Sequence, residues 1–382
     1  MYLFKKSFNP SAWLHSENLK LLTKFSIYVI LYQSIILWII FLFKYYNSKL
    51  LLNQIFINPF YFLIRWDSLH YFGIVENGYD NIQIAFFPLY PLLIKTIGLF
   101  LFNSYILTGY LISWSCLILS LFYLYKLLIL DNTFEVTKRT LLLFLFSPFA
   151  IFFSLIYTES LFIFLSIAFF YYLKKDKWLT ASIFGGYAMV TRNVGIFLII
   201  IYLVKYFRIY RYKFNKKLLY LLIMASGLAV FCWYGFYKFN DWLAFISASK
   251  YWSQWRTFIW PWQHRQIYDF FTINFGLFKL YDSFGIIIIE FGSFLLSLIA
   301  GIYFVIKKNI LYGIYCLLNT LLFSFFSSFC GVNRYIIVIF PIYLFFAKIT
   351  EKHKIIFYYL LAMSMIFFVF NIYRLSSGGW LG

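Results

Sequence analysis

Residues 25–43 read FSIYVILYQSIILWIIFLF, a run of 19 residues without a charged side chain. A helix needs about 20 such residues to cross the hydrocarbon core of a bilayer. No cleavage site of small residues follows the run, so we expect it to remain as a membrane span rather than to be removed as a signal peptide. Apolar runs recur along the chain, at about 25–46, 86–102, 105–130, 140–157, 159–173, 179–190, 194–207, 218–238, 283–306, 310–329, 335–347 and 355–373.

The composition of the whole chain agrees with this pattern. Of its 382 residues, 63% are hydrophobic and 12% are charged, whereas soluble globular domains are near half apolar and a quarter charged. We therefore exclude an ordinary soluble enzyme. We predict an all-α polytopic membrane protein that forms a single unit over residues 1–382, a bundle of about 10–12 transmembrane or re-entrant helices. Several runs, such as 179–190, are too short to cross alone and must pair, tilt or re-enter the membrane.

The basic residues predict the orientation of this bundle. The formal charge is +20, but the Lys and Arg residues stand in short clusters between apolar runs, which argues for membrane topology rather than for nucleic-acid binding. By the positive-inside rule we expect five clusters to face the cytoplasm. They lie at 5–24, 174–177, 205–217, 307–308 and 348–354.

Each membrane span moves the chain to the other side of the membrane, so the cytoplasmic clusters also predict which connections lie outside. This alternation places 47–85 and 239–282 outside as two external loops. It also pairs the run 140–157 with 159–173, and 179–190 with 194–207, as two hairpins whose outer tips are Thr158-Glu159 and Thr191-Arg192-Asn193. The run 86–102 fits no crossing, and we interpret it as re-entrant or interfacial.

The first external loop holds a dense group of titratable side chains. It contains Arg65-Trp66-Asp67-Ser68-Leu69-His70, followed by Glu76 and Asp80. A carboxylate flanked by Trp at a membrane surface is partly dehydrated, which raises its basicity toward that of a general base. The alternative on composition alone is a solvated loop held by an ion pair between Arg65 and Asp67.

Ordered motifs begin in this loop and continue along the chain. They are Trp-Asp-x-x-His-Tyr-Phe at 66–72, Gly-Tyr at 78–79, Ala-Phe-Phe-Pro-Leu-x-Pro at 85–91, SPFAIFFSLIYTESLF at 147–162 and Thr-Arg-Asn-x-Gly at 191–195. In order and spacing they resemble the signature of the PIG-V family, which contains GPI mannosyltransferase 2 and its prokaryotic relatives. The resemblance covers roughly 60–200, and the stretches 251–262 and 333–341 are more similar to the prokaryotic members.

The resemblance implies a GT-C fold, that of a multi-helix membrane glycosyltransferase. Such an enzyme takes a sugar, here mannose, from a polyprenyl-phosphate donor and transfers it with inversion to a glycolipid or lipid-linked glycan. Transfer occurs on the extracytoplasmic side, where lysine counting alone places Asp67, Glu159 and Arg192. The second half favours the plasma membrane of a prokaryote, with the endoplasmic reticulum as the location in a eukaryote. A divalent metal and a partner subunit are both left open.

Candidate roles follow from the chemistry of this transfer. Displacement at the anomeric carbon needs a carboxylate to take the acceptor proton and cations to stabilise the departing phosphate. Asp67 is the candidate base, and its alternative role is an ion-pair partner that only fixes the loop. Glu159 is the second catalytic candidate, which orients the acceptor, binds a metal, holds Arg192 or has a purely structural role.

Three arginines, Arg192, Arg256 and Arg334, are candidates for the donor phosphate. A guanidinium offers several fixed donors to phosphate oxygens and keeps its charge near lipid. The alternative for each is an interfacial residue whose charge reaches the membrane surface. The other predicted donor- or acceptor-binding residues are Arg65, Trp66, His70, Tyr79 and Asn193.

Two other classes of function stay open. A transporter also builds its substrate site from broken helices with buried charges, although no matching broken segments recur between the halves of this chain. A non-catalytic subunit of a glycosylation complex would tolerate the loss of Asp67.

Overall fold

The computed structural model describes residues 10–48, 63–251, 284–323 and 331–379, and in these ranges the chain is all-helical, without β-strands. We number the α-helices in chain order: α1 (Pro10–Ser48), α2 (Asp67–Asn77), α3 (Leu89–Phe100), α4 (Tyr105–Leu128), α5 (Phe134–Leu145), α6 (Glu159–Lys174), α7 (Trp178–Met189), α8 (Phe197–Tyr210), α9 (Tyr220–Phe239), α10 (Ala244–Ser247), α11 (Phe284–Ile306), α12 (Ile310–Phe323), α13 (Val332–Ile336), α14 (Pro341–Ile349) and α15 (Lys354–Ser376). Short 3-10 helices lie at Gln83–Ala85, Ala150–Ser154, Asn193–Ile196, Lys216–Leu219 and Ala248–Tyr251.

Within the described ranges, five helical segments are long and apolar enough to cross a membrane. They are Ser16–Tyr45, Tyr105–Leu128, Asn193–Tyr210, Lys216–Phe239 and Lys354–Ser376. The shortest has 18 residues, which at about 1.5 Å per residue gives roughly 27 Å, close to the thickness of the hydrocarbon core. These lengths agree with the predicted all-α membrane protein.

Helix α6 lies at the centre of the packing. Thirteen of its sixteen residues are buried, because its sequence is apolar on nearly all sides, the pattern of a helix enclosed by others. It packs against α4 and α7, and α7 in turn packs against α9. Around this centre α1 contacts α4 and α15, α5 contacts α14, and α11 pairs with α12. The first residue of α6 is Glu159, so this packing also positions the site.

The run 140–157, predicted to be one arm of a hairpin, is not one helix. Helix α5 ends at Leu145, and a buried 3-10 helix follows before α6 begins. Ser147 precedes Pro148, and a residue before proline is disfavoured in the α conformation, which explains why the helix ends here. The irregular segment then brings the ring of Tyr157 into the interior.

The second predicted turn is present. The chain leaves α7, turns at 190–192 and enters the 3-10 helix Asn193–Ile196 before α8. Here Gly195 lies so close to the end of α7 that an added Cβ would be 2.5 Å from the carbonyl oxygen of Ala188. This close approach fixes the turn that carries Arg192.

The two predicted external loops contain more regular structure than the sequence indicated. Loop 47–85 includes helix α2, which packs against α3, and α3 packs against α4. Helix α3 has 12 residues, about 18 Å, so its length agrees with the re-entrant or interfacial reading of 86–102. In loop 239–282 the structure describes α10 and the 3-10 helix that ends at Tyr251, whereas Arg256 lies outside the described residues.

Candidate functional site

Two carboxylates and two guanidinium groups converge at the start of α6. Glu159 begins α6, Asp67 begins α2, Arg192 lies in the turn after α7, and Arg334 lies in α13. Nη2 of Arg334 lies 2.7 Å from Oδ2 of Asp67 and 3.0 Å from Oε1 of Glu159. Nη1 of Arg192 lies 2.7 Å from the same Glu159 oxygen. Four elements that are distant in sequence are therefore joined by one network of ion pairs.

Glu159 is the centre of this network. Its side chain is fully buried, and Oε1 accepts hydrogen bonds from Nε and Nη2 of Arg334 at 3.1 and 3.0 Å. The guanidinium groups of Arg192 and Arg334 both lie within ion-pair distance of this oxygen, so the negative charge is balanced where it is buried. The position at the N-terminus of α6 also favours a negative charge. Glu159 is therefore an ionised carboxylate that already holds two cations.

Asp67 differs from Glu159 in exposure and in the number of its partners. Its side chain is 15% exposed, and within the described ranges Arg334 is its one ion-pair partner. It begins α2, where the helix dipole stabilises a carboxylate. Release of Asp67 from its pair leaves Arg334 bound to Glu159. Of the two carboxylates, Asp67 is the one that can change partners at lower cost.

The backbone at Asp67 is held by Tyr157, which sequence analysis did not select. The Tyr157 hydroxyl donates to the carbonyl oxygen of Arg65 at 3.1 Å and accepts from the N–H of Asp67 at 3.3 Å. Between these two residues Trp66 has a φ of 41°, in the region that residues other than glycine rarely adopt. The hydroxyl thus stabilises a strained turn that directs Asp67 toward Arg334. Tyr157 is the last residue of the run 140–157, next to the predicted tip Thr158-Glu159, but nothing local in the sequence indicates its contacts with Arg65 and Asp67.

Both arginines lie against aromatic rings. Cζ of Arg334 is 4.6 Å from the centre of the Tyr157 ring and 5.3 Å from that of Phe152. Cζ of Arg192 is 4.9 Å from the centre of the Tyr335 ring. Such stacking stabilises a cation on its faces and leaves its edge for hydrogen bonds. Burial lowers the pKa of Arg334, but the two neighbouring carboxylates raise it by more, so the group stays charged.

Three buried polar atoms in and beside the cluster have no hydrogen-bond partner among the residues that the structure describes. They are Oε2 of Glu159, Nε of Arg192 and Nε of Arg65. An unsatisfied buried group costs about 1–3 kcal/mol, and in folded proteins such groups are usually met by water or a ligand. Glu159 and Arg192 belong to the cluster, so one acceptor and one donor within it lack a partner among the described residues.

The structure places the other predicted site residues differently. His70 stacks on the ring of Phe86 with centroids 5.1 Å apart. Tyr79 packs in a separate apolar core against Phe231, so it is not part of the charge cluster. The side-chain oxygen of Asn193 accepts from the N–H of the next residue at 2.9 Å, a local contact within the turn.

The ion pair between Arg65 and Asp67, the alternative considered from composition, is not formed in the described structure. Asp67 instead pairs with Arg334, 267 positions along the chain. Glu159 was also considered as a metal ligand, but its Oε1 atom already pairs with the guanidinium groups of Arg192 and Arg334. Over the described residues, no group of three or more His, Cys, Asp and Glu side chains could hold a metal ion.

An apolar cavity of about 380 Å³ adjoins α13, the helix that carries Arg334, and its lining does not include any of the four charged residues of the cluster. It is enclosed by the segment after α5 and by α11, α13, α14 and α15, and its lining includes Pro148, Leu296, Ile336, Phe367 and Asn333. Asn333 is the neighbour of Arg334 in α13, and its Oδ1 accepts from the hydroxyl of Ser293 at 2.9 Å. An apolar volume thus adjoins the element that carries one of the two cations.

Comparisons with protein-family models, with curated proteins and with solved structures find no match for this chain. The features that bear on function are therefore the charge cluster, the cavity that adjoins α13 and the sequence motifs at 66–91, 147–162 and 191–195.

Proposed function

We propose that this chain is a membrane glycosyltransferase that moves a mannose from a polyprenyl-phosphate donor to a glycolipid or lipid-linked glycan on the extracytoplasmic side. The observation that carries the proposal is the convergence of Asp67, Glu159, Arg192 and Arg334 in one largely buried cluster. The resemblance to the PIG-V family supports the same class of reaction, because these residues stand in the stretches that carry it. The GT-C arrangement and the plasma membrane of a prokaryote are part of the proposal.

In the proposed step Asp67 accepts the proton of the acceptor hydroxyl while the hydroxyl oxygen attacks the anomeric carbon of the donor sugar. The bond between that carbon and the phosphate oxygen breaks, and its electron pair leaves with the phosphate. Arg334 stabilises the charge that develops there. The new bond forms on the face opposite the leaving phosphate, so the configuration inverts.

The ion pairs of the free protein suggest how donor binding prepares the base. Nη2 of Arg334 is shared between Asp67 and Glu159. A donor phosphate that takes hydrogen bonds from Arg334 weakens its bond to Asp67, and Glu159 continues to hold the guanidinium in place. Asp67 is then free to accept a proton. Glu159 and Arg192 act in this scheme as the fixed part of the site.

A lipid-linked substrate fits the surroundings of the cluster. The cavity of about 380 Å³ is mostly apolar and is lined by Asn333, the neighbour of Arg334 in α13, so we propose that it holds the polyprenyl or acyl chain of the substrate. Apolar pockets with a few convergent polar groups are the usual form of small-molecule sites.

The test is transfer of radiolabelled mannose from polyprenyl-phosphate-mannose to extractable lipid or glycan in membranes that contain the protein. We expect Asp67→Asn to lose about 10²–10⁴-fold in rate, the contribution of a general base. The matched control is Glu76→Gln, because Glu76 is an exposed carboxylate on the same helix and its loss should leave transfer unchanged. Equal rates for Asp67→Asn and the wild type at matched expression would remove Asp67 as the base.

A transporter is the second candidate, because buried ion pairs at broken helices also build transport sites. The break between α5 and α6, next to Glu159, is such a feature. Uptake of a labelled anionic solute that depends on Asp67, without any sugar transfer by the wild type, would favour this candidate. A non-catalytic subunit would support transfer in a complex equally well with Asp67→Asn.

A further inference from the structure

A second cavity, of about 310 Å³, lies at the other end of α6 from the charge cluster. Helix α6 has sixteen residues, so its ends are about 24 Å apart. The cavity lies among the ends of α4, α6 and α8 and the turn between α11 and α12. Its lining combines the basic residues Lys174, Lys205 and Arg208 with apolar ones such as Leu127, Phe170 and Leu311.

Positive charge exceeds negative charge around this cavity. Lys174 pairs with Asp131 and Lys205 pairs with Asp176, whereas for Arg208 the described structure shows no carboxylate within ion-pair distance. The side chains of the two aspartates are 48% and 62% exposed, and those of the two lysines only 31% and 14%. Solvent screens exposed charges more than buried ones, so the aspartates compensate the inner cations incompletely.

The environment of Lys174 agrees with this excess. The ammonium groups of Lys348 and Lys205 interact with Lys174, Asp131 pairs with it, and Arg208 lines the same cavity. An anion placed among these groups would favour the charged form of Lys174.

The apolar part of the lining points to a lipid rather than to a soluble anion. Leu127, Phe170 and Leu311 give a small anion nothing to bind, but they match the first methylenes of an acyl chain. The side chain of Ile209, which also lines the cavity, is 49% exposed and continues the apolar surface outward. Basic pockets between membrane helices on the cytoplasmic side bind anionic headgroups.

We propose that this cavity binds the phosphate headgroup of an anionic phospholipid in the cytoplasmic leaflet. The phosphate contacts Lys174, Lys205 and Arg208, and the acyl chains leave past Ile209. The site is separate from the proposed transfer chemistry at Asp67 and does not depend on it. Its occupancy stabilises the packing of α8 against α12 and the turn before α12.

The test measures lipid binding to the full-length protein, purified in detergent and stripped of lipid, by native mass spectrometry. The probes are phosphatidylglycerol, phosphatidylcholine and inorganic phosphate. We expect the wild type to retain phosphatidylglycerol over phosphatidylcholine, and Arg208→Gln to weaken this binding about fivefold, the effect of one cation near a headgroup. Arg208→Lys keeps the charge and should restore most of the binding.

The matched control is Lys213→Gln, which removes an exposed cation of the same basic cluster that does not line the cavity. It should bind phosphatidylglycerol like the wild type. An equal loss in Lys213→Gln and Arg208→Gln would overturn the proposal, because it would show diffuse attraction to the basic surface. Displacement of phosphatidylglycerol by inorganic phosphate at equal concentration would also overturn it, since the site would then recognise a free anion.

Discussion

A single oxygen atom of Glu159 receives both guanidinium groups of the cluster, and this arrangement makes the residue more important for stability than for accessible chemistry. Removal of one member of a buried ion network leaves the others uncompensated. Asp67 is partly exposed, and its loss leaves Arg334 paired with Glu159. We therefore expect substitution of Glu159 to lower mainly the stability of the protein and substitution of Asp67 to lower mainly the rate of transfer.

We predict that Glu159→Gln destabilises the folded protein by about 3–5 kcal/mol, the cost of breaking a buried ion pair. It leaves Arg192 and Arg334 without their common partner. The measurement is thermal unfolding of the purified protein in detergent, with Asp67→Asn as the comparison that should lower the melting temperature much less. Equal melting temperatures for Glu159→Gln and the wild type would contradict the central role of this carboxylate.

Tyr157 acts on the reaction through the backbone of Asp67, which makes it a positioning residue. We predict that Tyr157→Phe keeps the ring beneath Arg334 but loses both hydroxyl hydrogen bonds, at a cost of about 1 kcal/mol in stability. Because the strained turn at Trp66 is then free to relax, kcat should fall about tenfold or more with KM little changed. Steady-state mannose transfer measures this split.

The control for Tyr157→Phe is Tyr105→Phe, whose hydroxyl makes an exposed hydrogen bond to Asn103. It should leave both kinetic constants as they are. A purely structural role for Tyr157 would instead lower the amount of folded protein and leave kcat per folded molecule unchanged.

At the scale of elements, the turn between α7 and α8 depends on one glycine. An added Cβ at Gly195 would lie 2.5 Å and 2.6 Å from the carbonyl oxygen and carbon of Ala188 and 2.7 Å from Cα of Met189. These are backbone atoms, which cannot move aside as a side-chain tip can. The turn has to open, and Arg192 lies three residues before the glycine.

We therefore predict that Gly195→Ala destabilises the protein by about 1–3 kcal/mol, the range of overpacked interiors, and lowers transfer by displacing Arg192. Gly292→Ala is the control, because an added Cβ there meets nothing within 4 Å, and it should be neutral or slightly stabilising. Both effects are measured by thermal unfolding and by mannose transfer. A melting temperature for Gly195→Ala equal to that of Gly292→Ala would show that the turn tolerates the methyl group.

Apolar periodicity predicted most helices but not where the chain leaves helical structure. The run 140–157 read as continuous because its residues are apolar, and the effect of Pro148 on the preceding residue decided the break. Helix α2 was missed because it lies in a loop with mixed polar residues. The motifs identified Asp67, Glu159, Arg192 and Arg334 as candidates, but no local pattern could show that Asp67 and Arg334 meet across 267 positions. Tyr157 was overlooked for the same reason, because its partners are about 90 positions away.

At the scale of the whole molecule, α6 joins two regions of different chemistry. Its first residue, Glu159, belongs to a cluster of carboxylates and arginines, and its last, Lys174, belongs to a cavity with excess positive charge. Lysine-rich ends of membrane helices face the cytoplasm. From this rule we predict that the opposite end, with Asp67, is extracytoplasmic, the side that the proposed donor requires.

We predict this orientation for single cysteines introduced at two exposed positions, Glu76→Cys on α2 and Lys213→Cys after α8. An impermeant maleimide should label position 76 in intact cells, and position 213 only after the membrane is permeabilised, because the positive-inside rule places the lysine clusters in the cytoplasm. Of the native cysteines, Cys116 and Cys316 are buried, so the labelling background carries Cys232→Ser and Cys330→Ser.

The unmodified background protein is the control and should take up little reagent in either condition. Labelling of position 213 in intact cells, with position 76 protected, would show that the membrane orientation is the opposite of the predicted one. The carboxylate of Asp67 would then lie in the cytoplasm, and the proposed basic cavity would face the outer leaflet. That one result would contradict the side assigned to the transfer reaction and the leaflet assigned to the bound phospholipid, because both assignments depend on the direction in which α6 crosses the molecule.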